Sequence, residues 1–576
     1  MTDREDLARA QLEQRLDAEC AKRGITRGQL IKGGMGFATA VGLAGLFAAC
    51  GGEKAAPPAP SPVEPPPAPP PPPAPSPAEP APAPVPPPAP APAADEPRRG
   101  GRLRVAWTGE GAGESFDPGG FGGAIFGGRQ MQVYDRLVEI NAEMNGYEMA
   151  LAESFEPNAD LTEWTIRLRS DVTWHDGSDF TADDVIYTIQ RTADDPAHGG
   201  NIFTTFMDAA NIRKMDPLTL RIPLTQPIAD LRAFFFNPYG SSIQQANVTD
   251  FTNPVGTGPF TVESFDPGVS NLFVRNPNYW REGLPYVDEL EFFSTDDAIT
   301  RLNALLAGDI DASSELSYAV AADEIDKGNI QILTSETGSV LNMLMAVDLD
   351  PFTDNRIRQA FRLMMDRPAL VENVQLGFGN VANDLLGKPG MAFYNDMLPQ
   401  RTRDIEQAQF LLKEADAEGL KVTLEASTWG PGMIEMATIF AEQAKDAGVT
   451  VEVVNTPPDT YFAEKYLNVA FGTSSAGAYP IPIWYLLQHA TGGIWNETHW
   501  EVPAFDELLF SGLGESDPAK AQDFYFEAQR MLWEEGGYMI WGNVAFIDGL
   551  ANNVRGWKPN AFLPSNTYRY MEWWLV

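Results

Sequence analysis

Five aromatic side chains lie in or beside loops rich in glycine, proline and serine, where flat rings can line a ligand pocket at a low entropic cost. They are Trp429, Tyr479, Trp484, Tyr485 and Trp495. Such rings offer stacking and apolar contact to a bound solute, so the chemistry they indicate is noncovalent binding. Ordinary packing in a core or a hinge is the alternative for each of them.

Groups that perform catalysis or hold metals are few and poorly spaced for either task. No two histidines have the close helical spacing of a metal site, and both cysteines precede residue 98. Neither a G-x-S-x-G nucleophile turn nor a phosphate-binding loop is present. We therefore expect no metal, no cofactor and no enzymatic activity, with a secreted hydrolase as the alternative from another class. The residues concerned are Cys20, Cys50, His175, His198, His489 and His499.

A glycine-rich stretch follows the first predicted strand. The order "VAWTGEGAG" is typical of a dinucleotide site, because glycines follow a strand there. The next residues, "ESFDPGGFGGAIFGG", have low helix propensity, so we expect a loop without the helix terminus that a pyrophosphate needs. The prediction is a flexible or ligand-contacting loop.

The charge of the chain limits its partners. With 79 acidic and 41 basic side chains, the formal net charge is −38. Nucleic-acid binding needs basic patches that contact phosphates, so we expect no nucleic-acid partner. A strongly negative surface resists association, so we expect a monomer.

An apolar stretch over residues 33–49 ends at Cys50. Its length of about seventeen residues is marginal for a spanning helix and fits the core of a signal peptide. The small residues Ala48 and Ala49 before Cys50 resemble a bacterial lipoprotein signal, which implies that Cys50 is the site of lipid attachment. We expect residues 1–49 to be an export signal, with an uncleaved membrane anchor as the alternative. The general secretory and twin-arginine routes both stay open, because Gly28 replaces the second arginine in "TRGQLIKGG".

Proline and alanine dominate the segment after Cys50. Such a composition buries almost no apolar surface and stays extended, at about 3.1 Å per residue. About forty residues of this kind reach roughly 130 Å. We therefore expect residues 50–97 to be a disordered linker between the tether and a folded body.

From residue 98 the composition is that of a globular protein. "GGRLRVAW" alternates as a strand does. In "WTIRLRSDVTWHDG", the side chains of Trp164, Ile166 and Leu168 share one face of a strand, and Asp176 and Gly177 favour a tight turn.

Helix signals alternate with strand signals along the rest of the chain. Thr181 and Asp184 predict a capping box before a stripe formed by Val185, Ile186 and Ile189. "KVTLEA", "MIEMATIFAEQAKDAG" and "VTVEVV" predict a strand–helix–strand unit with parallel strands, the helix ending at Gly448. An earlier helix, capped by Asp404 and ended by Gly419, should bury Ile405, Ala408, Leu411, Leu412 and Ala415. A later one, starting at Asp517-Pro518, should bury Ala521, Phe524, Ala528, Met531 and Leu532.

Five stretches together resemble one family. They are "YDRLVEI", "LAESFEPNADLTEWTIRLRSDVTWHDGSDFTADDVIYTIQR", "NPVGTGPFTVESFDPGVSNLFVRNPNYW", "DDAITRLNALLAGDIDAS" and "DPFTDNRIRQAFRLMMDRPALVENVQLGFG". In this order they resemble the extracytoplasmic solute-binding proteins, family 5, which serve peptide, nickel and related ABC importers. The "GTGPF" turn and the helix "NRIRQAFRLMMDR", which ends at Asp366-Arg367 with Ile357, Ala360, Phe361 and Met364 on one face, are structural features of the resemblance.

The resemblance implies an α/β fold that forms a two-lobed clamp like that of periplasmic binding proteins, of class II and of the large type with an extra subdomain. Mixed sheets would be flanked by helices. The first lobe would comprise residues 98–338 and 539–576, and the second lobe residues 339–538. Crossovers near Ser339 and Met539 would act as the hinge, and ligand would be enclosed between the lobes.

One segment departs from the family pattern. Peptide-binding members commonly carry an acidic residue in a Tyr-Pro-Asp-Pro-like segment, where it pairs with the amino terminus of the peptide. Here the segment reads "GTSSAGAYPIPIWYLL", with Ile481 after Tyr479 and Pro480 and no carboxylate nearby. Ser474, Ser475 and Tyr479 would offer neutral hydrogen bonds instead. The ligand-binding residues expected from the loops and the resemblance are Trp429, Ser474, Ser475, Tyr479 and Trp484, faced by Glu114 and Phe116.

The function expected from the sequence is therefore that of a substrate-binding component of an ABC importer. It would capture a peptide or similar small solute outside the cytoplasmic membrane and deliver it to the permease and ATPase subunits. A non-peptide solute, such as an oligosaccharide, an opine or a nickel complex, is the alternative.

Overall fold

The structure is a computed structural model, and it describes residues 96–109, 111–120, 123–195, 198, 200, 204–237 and 240–576. We call residues 98–338 and 539–576 the first lobe and residues 339–538 the second lobe, which is the division proposed from the sequence. The α/β class and the clamp architecture predicted from the sequence are confirmed.

Strands and helices alternate through both lobes. The strands are β1 Arg102–Trp107, β2 Val138–Ile140, β3 Tyr147–Met149, β4 Ala152–Pro157, β5 Glu163–Leu168, β6 Arg213–Asp216, β7 Thr219–Pro223, β8 Phe260–Asp266, β9 Ser270–Arg275, β10 Glu289–Ser294, β11 Ala312–Ser313, β12 Gln331–Met345, β13 Asn380–Val381, β14 Lys421–Ala426, β15 Thr450–Asn455, β16 Phe471–Ala476, β17 Tyr538–Leu550, β18 Val554–Arg555 and β19 Trp574–Leu575. The main helices are α1 Ala124–Val133, α2 Ala182–Asp194, α3 Ala298–Ala307, α4 Tyr318–Glu324, α5 Asn355–Met364, α6 Arg367–Val374, α7 Ile405–Glu414, α8 Met433–Ala444, α9 Pro458–Thr460, α10 Ile481–Gln488, α11 Pro503–Leu513 and α12 Pro518–Glu535.

A mixed sheet links the two lobes. Its order is β15-β14-β16-β12-β17-β11-β1-β10-β9-β8, with β13 also paired to β17. The long antiparallel strands β12 and β17 lie at its centre, and a register shift interrupts their pairing between Glu336 and Val340. Apart from β13, strands of the second lobe pair on one side of them and strands of the first lobe on the other. Both strands are continuous through Ser339 and Met539, so the lobe limits remain a proposal.

One prediction from an alternating pattern and one from a helix-capping pattern are confirmed. On β5, Trp164, Ile166 and Leu168 are buried in the first lobe. β5 belongs to a separate antiparallel sheet of order β4-β5-β7-β6. The capping box of Thr181 and Asp184 is formed at the start of α2.

The predicted strand–helix–strand unit is also confirmed. β14 and β15 pair in parallel, with α8 between them in the chain. A short 3₁₀ turn extends α8, and Gly448 ends it in the left-handed conformation at φ +80°.

The prediction of a loop for the glycine-rich stretch is wrong in its last part, which forms a helix. Ten residues of "GGAIFGGRQMQV" form α1, and all ten are buried. A Cβ added at Gly128 would lie 3.6 Å from the rings of both Trp107 and Phe292. Burial of the whole segment therefore outweighs the low helix propensity of its glycines.

Helix limits and faces differ from the prediction in three places. α7 ends at Glu414 rather than at Gly419, which lies in the following turn. α12 buries Tyr525 in place of Phe524. Asp366 accepts a hydrogen bond from the amide of Ala369 and therefore begins α6 instead of closing α5.

The "GTGPF" turn requires glycine at two positions, because the backbone of Val133 lies very close to them. A Cβ on Gly256 would lie 1.7 Å from the carbonyl oxygen of Val133, and one on Gly258 would lie 2.6 Å from the carbonyl carbon of Val133. The amide of Gly258 donates a hydrogen bond to the oxygen of Val133 at 2.9 Å. The turn therefore packs against Val133, the last residue of α1.

Candidate functional site

The two lobes touch at Tyr479. Its ring centroid lies 6.5 Å from that of Phe236 in the first lobe. The Nδ2 atom of Asn237 donates to its hydroxyl at 3.5 Å. Tyr479 is only 2% exposed, and this burial raises the pKa of its hydroxyl above the usual value. A residue of the predicted ligand set therefore lies at the interface between the lobes.

Away from the linking sheet, two backbone hydrogen bonds also join the lobes. The amide of Ala229 donates to the carbonyl of Leu513 at 2.7 Å, and the amide of Ala392 donates to the carbonyl of Met144 at 3.2 Å. They hold the lobes together on either side of a cavity. The structure is thus a clamp whose lobes are in contact.

The cavity between these contacts has a volume of about 310 Å³. Tyr147, Asp230 and Arg232 line it from the first lobe, and Phe393 and Tyr525 line it from the second. We call it the interlobe cavity. Its size falls within the range of about 300–1,000 Å³ that is common for small-molecule sites.

The polar wall of the interlobe cavity carries both signs of charge. Arg232 donates from Nε and Nη2 to the two carboxylate oxygens of Asp230, at 2.7 and 2.8 Å. The guanidinium also lies 5.5 Å from the ring centroid of Tyr147. On the opposite wall the rings of Phe393 and Tyr525 are 4.8 Å apart. This arrangement can hold an apolar group against the rings and a charged group at the ion pair.

A second group of polar atoms lies at one edge of the sheet in the second lobe. β14 and β16 are parallel, so their carboxyl ends meet at this edge. Ser427 and Trp429 follow β14, and Ser475 lies near the end of β16. Among the described residues, the Oγ atoms of Ser427 and Ser475 and the Nε1 atom of Trp429 are buried without a hydrogen-bond partner. Two of the predicted residues, Trp429 and Ser475, are thereby brought to the same edge.

Ser474 is engaged in a buried network. Its Oγ donates to Oε1 of Glu497 at 2.7 Å, and the hydroxyl of Tyr538 donates to Oε2 at 2.9 Å. Burial raises the pKa of Glu497 from its ordinary 4.5 to about 7, although these hydrogen bonds oppose the increase. Opposite Ser474 on β12, both amide atoms of Asn342 are buried without a partner among the described residues.

The other loop aromatics pack around Tyr479 and α10. Trp484 is 4.9 Å and Trp495 is 6.3 Å from the ring of Tyr479. Tyr485 packs 5.6 Å from Phe505. These residues form the wall behind Tyr479, and the binding role of Trp484 stays a prediction.

Glu114 and Phe116 are buried inside the first lobe. Glu114 pairs with Arg129 at 3.0 Å, with both side chains fully buried. The ring of Phe116 lies 4.8 Å from Phe265 and 6.1 Å from Phe273. All of these contacts are within one lobe, so the expectation that the two residues face the second lobe remains a prediction.

Four polar residues of these sites were not predicted from the sequence: Asp230, Arg232, Asn237 and Glu497. Asn237 follows the run "AFFF" and precedes a proline, which is a signal for a loop after a buried segment. Asp230, Arg232 and Glu497 lie in segments without a comparable pattern. Asp230 and Arg232 pair with each other only two residues apart. The contacts of Arg232 with Tyr147 and of Glu497 with Tyr538 join residues far apart in the chain.

The predictions for the amino-terminal segment lie outside the described residues. They concern the export signal, Cys50 as the lipid attachment site, and most of the linker. In the part of the chain that the structure describes, no helix is long and apolar enough to span a bilayer. The same residues contain no group of three or more His, Cys, Asp or Glu side chains that could hold a metal ion.

Comparisons with known proteins agree with this geometry. The chain is 25% identical over 442 residues to the glutathione-binding protein GsiB of Shigella dysenteriae, covering 73% of this chain and 85% of that protein. It is 25% identical over 491 residues to the dipeptide-binding protein of Escherichia coli K12, covering 79% and 91%. HbpA2 of Haemophilus parasuis has the same fold, with a TM-score of 0.71 and 22% identity over 83% of this chain and 100% of that one.

A family model described as bacterial extracellular solute-binding proteins, family 5, middle part, matches residues 146–496. The matched region makes up more than half of the chain and includes half of the residues that line the interlobe cavity. The chain therefore belongs to the family 5 bacterial extracellular solute-binding proteins.

Proposed function

We propose that this protein is the extracytoplasmic substrate-binding component of an ABC importer. It captures a peptide or similar small solute between its lobes and delivers it to the permease and ATPase subunits. The observation that supports this best is the interlobe cavity, because its walls come from both lobes and close only when the lobes meet. Ligand then stabilises the closed clamp by its higher affinity for that state.

The chemistry of the cavity favours a solute with both apolar and charged groups. Phe393 and Tyr525 accept an apolar side chain, and the Asp230–Arg232 pair can exchange its internal bonds for bonds to a charged ligand group. Peptides combine both features, and relatives include a glutathione-binding and a dipeptide-binding protein. Ile481 follows Tyr479 and Pro480 where peptide-binding members commonly carry a carboxylate, and Ser474, Ser475 and Tyr479 offer neutral hydrogen-bonding groups instead. An oligosaccharide, an opine or a nickel complex is therefore the alternative.

The protein returns its ligand chemically unchanged, as expected of a binding component without catalytic groups. It acts as a monomer, tethered to the outer face of the cytoplasmic membrane. Lipid on Cys50 or an uncleaved segment 1–49 provides the tether. Residues 50–97 give the clamp a reach of roughly 130 Å from it.

Calorimetric titration of the purified full chain with di- to pentapeptides tests the proposal. Ala392 lines the cavity from the second lobe, so Ala392→Trp fills it and should weaken binding at least about tenfold, or about 1.4 kcal/mol. Met397, 78% exposed in the same loop, gives the control Met397→Trp, which should bind as the native chain does. Equal affinity in both variants would contradict the assignment of the cavity.

A further inference from the structure

A second cavity of about 240 Å³ lies in the first lobe. Its lining comes from residues 131–148, Phe236 and the carboxyl-terminal segment 558–572, and no residue of the second lobe lines it. We call it the lobe-one cavity. A ligand bound there would not depend on closure of the clamp.

The β2–β3 hairpin separates the lobe-one cavity from the interlobe cavity. Glu139 pairs with Glu148 across the hairpin, and Ile140 pairs with Tyr147. Neighbouring pairs in a hairpin point to opposite faces. Glu139 and Glu148 line the lobe-one cavity, whereas Tyr147 lines the interlobe cavity. Ile140 lines both cavities, so the two sites are neighbours that share this one wall residue and differ in the rest of their lining.

Buried charges of both signs line the lobe-one cavity. Arg569 donates from Nη1 to Glu139 at 2.8 Å and from Nη2 to Glu572 at 2.6 Å. Arg136 and Arg281 contact the other oxygen of Glu139, at 3.2 and 2.9 Å. Burial alone would raise the pKa of Glu139, but the three arginines lower it to about 2, so it stays a carboxylate.

Polar atoms in the cavity wall are left without partners. The Nε of Arg569 and the Oγ1 of Thr567 have no hydrogen-bond partner among the described residues. Arg136, Asn560, Asn566 and Thr567 are all more than nine-tenths buried. Arg136, Asn560 and Asn566 have hydrogen-bond partners within the lobe, so the two atoms left to be completed by a ligand are the Nε of Arg569 and the Oγ1 of Thr567.

The turn of residues 565–568, which contributes Asn566 and Thr567 to the cavity wall, is held in an unusual conformation. Ser565, Asn566, Thr567 and Tyr568 have φ between +52° and +59°, although none is glycine. Asp548 holds this turn, because its carboxylate accepts from the amide of Ser565 at 2.9 Å and from its hydroxyl at 3.0 Å. Strained backbone of this kind persists where the surroundings fix it, often beside ligands.

We propose that the lobe-one cavity is a second solute site, which binds a small zwitterion of the free α-amino acid class. The carboxylate of the solute bonds to Arg569 and Lys558, and its ammonium group bonds to Glu572 and Glu148. The cavity is smaller than the range common for drug-sized ligands, which fits a single amino acid. The proposal does not rest on the ligand of the interlobe cavity.

Thermal unfolding of the full chain with glycine, L-glutamate or L-lysine at about 10 mM tests this site, since millimolar affinity would then be detected. At least one probe should raise the unfolding temperature. Ala142 lines only the lobe-one cavity, so Ala142→Trp should abolish that shift, whereas Ala392→Trp should keep it. No shift with any probe, or an equal shift in Ala142→Trp, would overturn the proposal. Failure of peptide binding alone would leave this result unaffected and would count only against the proposed function.

Two surface substitutions test the same site independently of whether Ala142→Trp folds. Lys558 is 67% and Glu148 is 58% exposed, so Lys558→Gln and Glu148→Gln should fold normally. Each substitution should weaken the affinity for the probe that raised the unfolding temperature by about two- to fivefold. Unchanged affinity in both variants would contradict the assigned charge contacts.

Discussion

The substitution Glu497→Gln is expected to change how the free energy of unfolding depends on pH. Glu497 is 3% exposed, and its oxygens accept hydrogen bonds from Ser474 and Tyr538. Burial raises the pKa of Glu497 to about 7 in the folded chain, against 4.5 for an ordinary glutamate. Between these values the folded chain binds more protons at this site than the unfolded chain does.

The sign and size of the effect follow from this difference. A state that binds more protons is destabilised as pH rises, so Glu497 makes the free energy of unfolding fall from pH 4.5 to about pH 7. The separation of the two pKa values corresponds to a loss of about 3 kcal/mol, complete above pH 7. Glutamine keeps the shape of the side chain and cannot ionise, so this part of the pH dependence should disappear.

Urea unfolding, followed by tryptophan fluorescence at constant ionic strength from pH 4 to pH 8, measures the difference. The free energy of Glu497→Gln minus that of the native chain should increase by about 3 kcal/mol across this range. Glu507→Gln, on the exposed face of α11, is the matched control and should give a constant difference. A constant or decreasing difference for Glu497→Gln would refute the assignment of a buried neutral carboxyl beside Ser474.

Four further perturbations test other parts of the account. Arg367→Met should destabilise the second lobe by about 3–5 kcal/mol in urea unfolding, because the carboxylate of Asp384 then pairs with Arg401 alone. The control Arg530→Met removes an exposed arginine and should cost under about 1 kcal/mol. Equal costs would contradict a buried ion cluster. Gly256→Ala should lower the free energy of unfolding by about 3 kcal/mol, because the added Cβ would clash with the Val133 carbonyl. The control Gly113→Ala has open space around it and should change the free energy of unfolding by under about 0.5 kcal/mol. An unchanged free energy of unfolding in Gly256→Ala would disprove the close approach. Tyr479→Phe removes the hydroxyl that accepts from Asn237 and should weaken solute binding about fivefold in calorimetry, and unchanged affinity would count against Tyr479 as an interlobe contact. Cys50→Ala should move the protein from the membrane fraction to the soluble fraction, and full retention would favour an uncleaved anchor.

Local signals predicted much of the fold. Alternation on β5, the capping box of α2 and the glycine at the end of α8 each depend on residues close in sequence. The helix α1 was missed because its stability comes from burial against Trp107 and Phe292, which outweighs the propensity of its glycines. On α12, a one-residue difference between Phe524 and Tyr525 was decided by packing against Phe393, a contact from another loop.

The site could be predicted only in part. Tyr479 stands in a loop after β16, where ligands commonly contact α/β folds, and it lies at the contact between the lobes. The binding roles of Trp429 and Ser475 stay predictions. Asp230 and Arg232 pair locally, but the contact of Arg232 with Tyr147 is set by the fold. Asn237 and Glu497 likewise contact Tyr479 and Tyr538, which no spacing in the sequence indicates. The lobe-one cavity likewise joins residues 131–148 to the carboxyl-terminal segment.

The most direct test of the central claim is thermal unfolding of the full chain against peptides, oligosaccharides, opine-like conjugates and nickel complexes, with each solute recovered afterwards and identified by mass spectrometry. A clamp that binds and releases its solute should be stabilised by about 2.7 kcal/mol at a hundred times the dissociation constant, and the solute should return intact. Steady conversion of a bound solute into a product, or no stabilisation by any of these classes, would contradict the account.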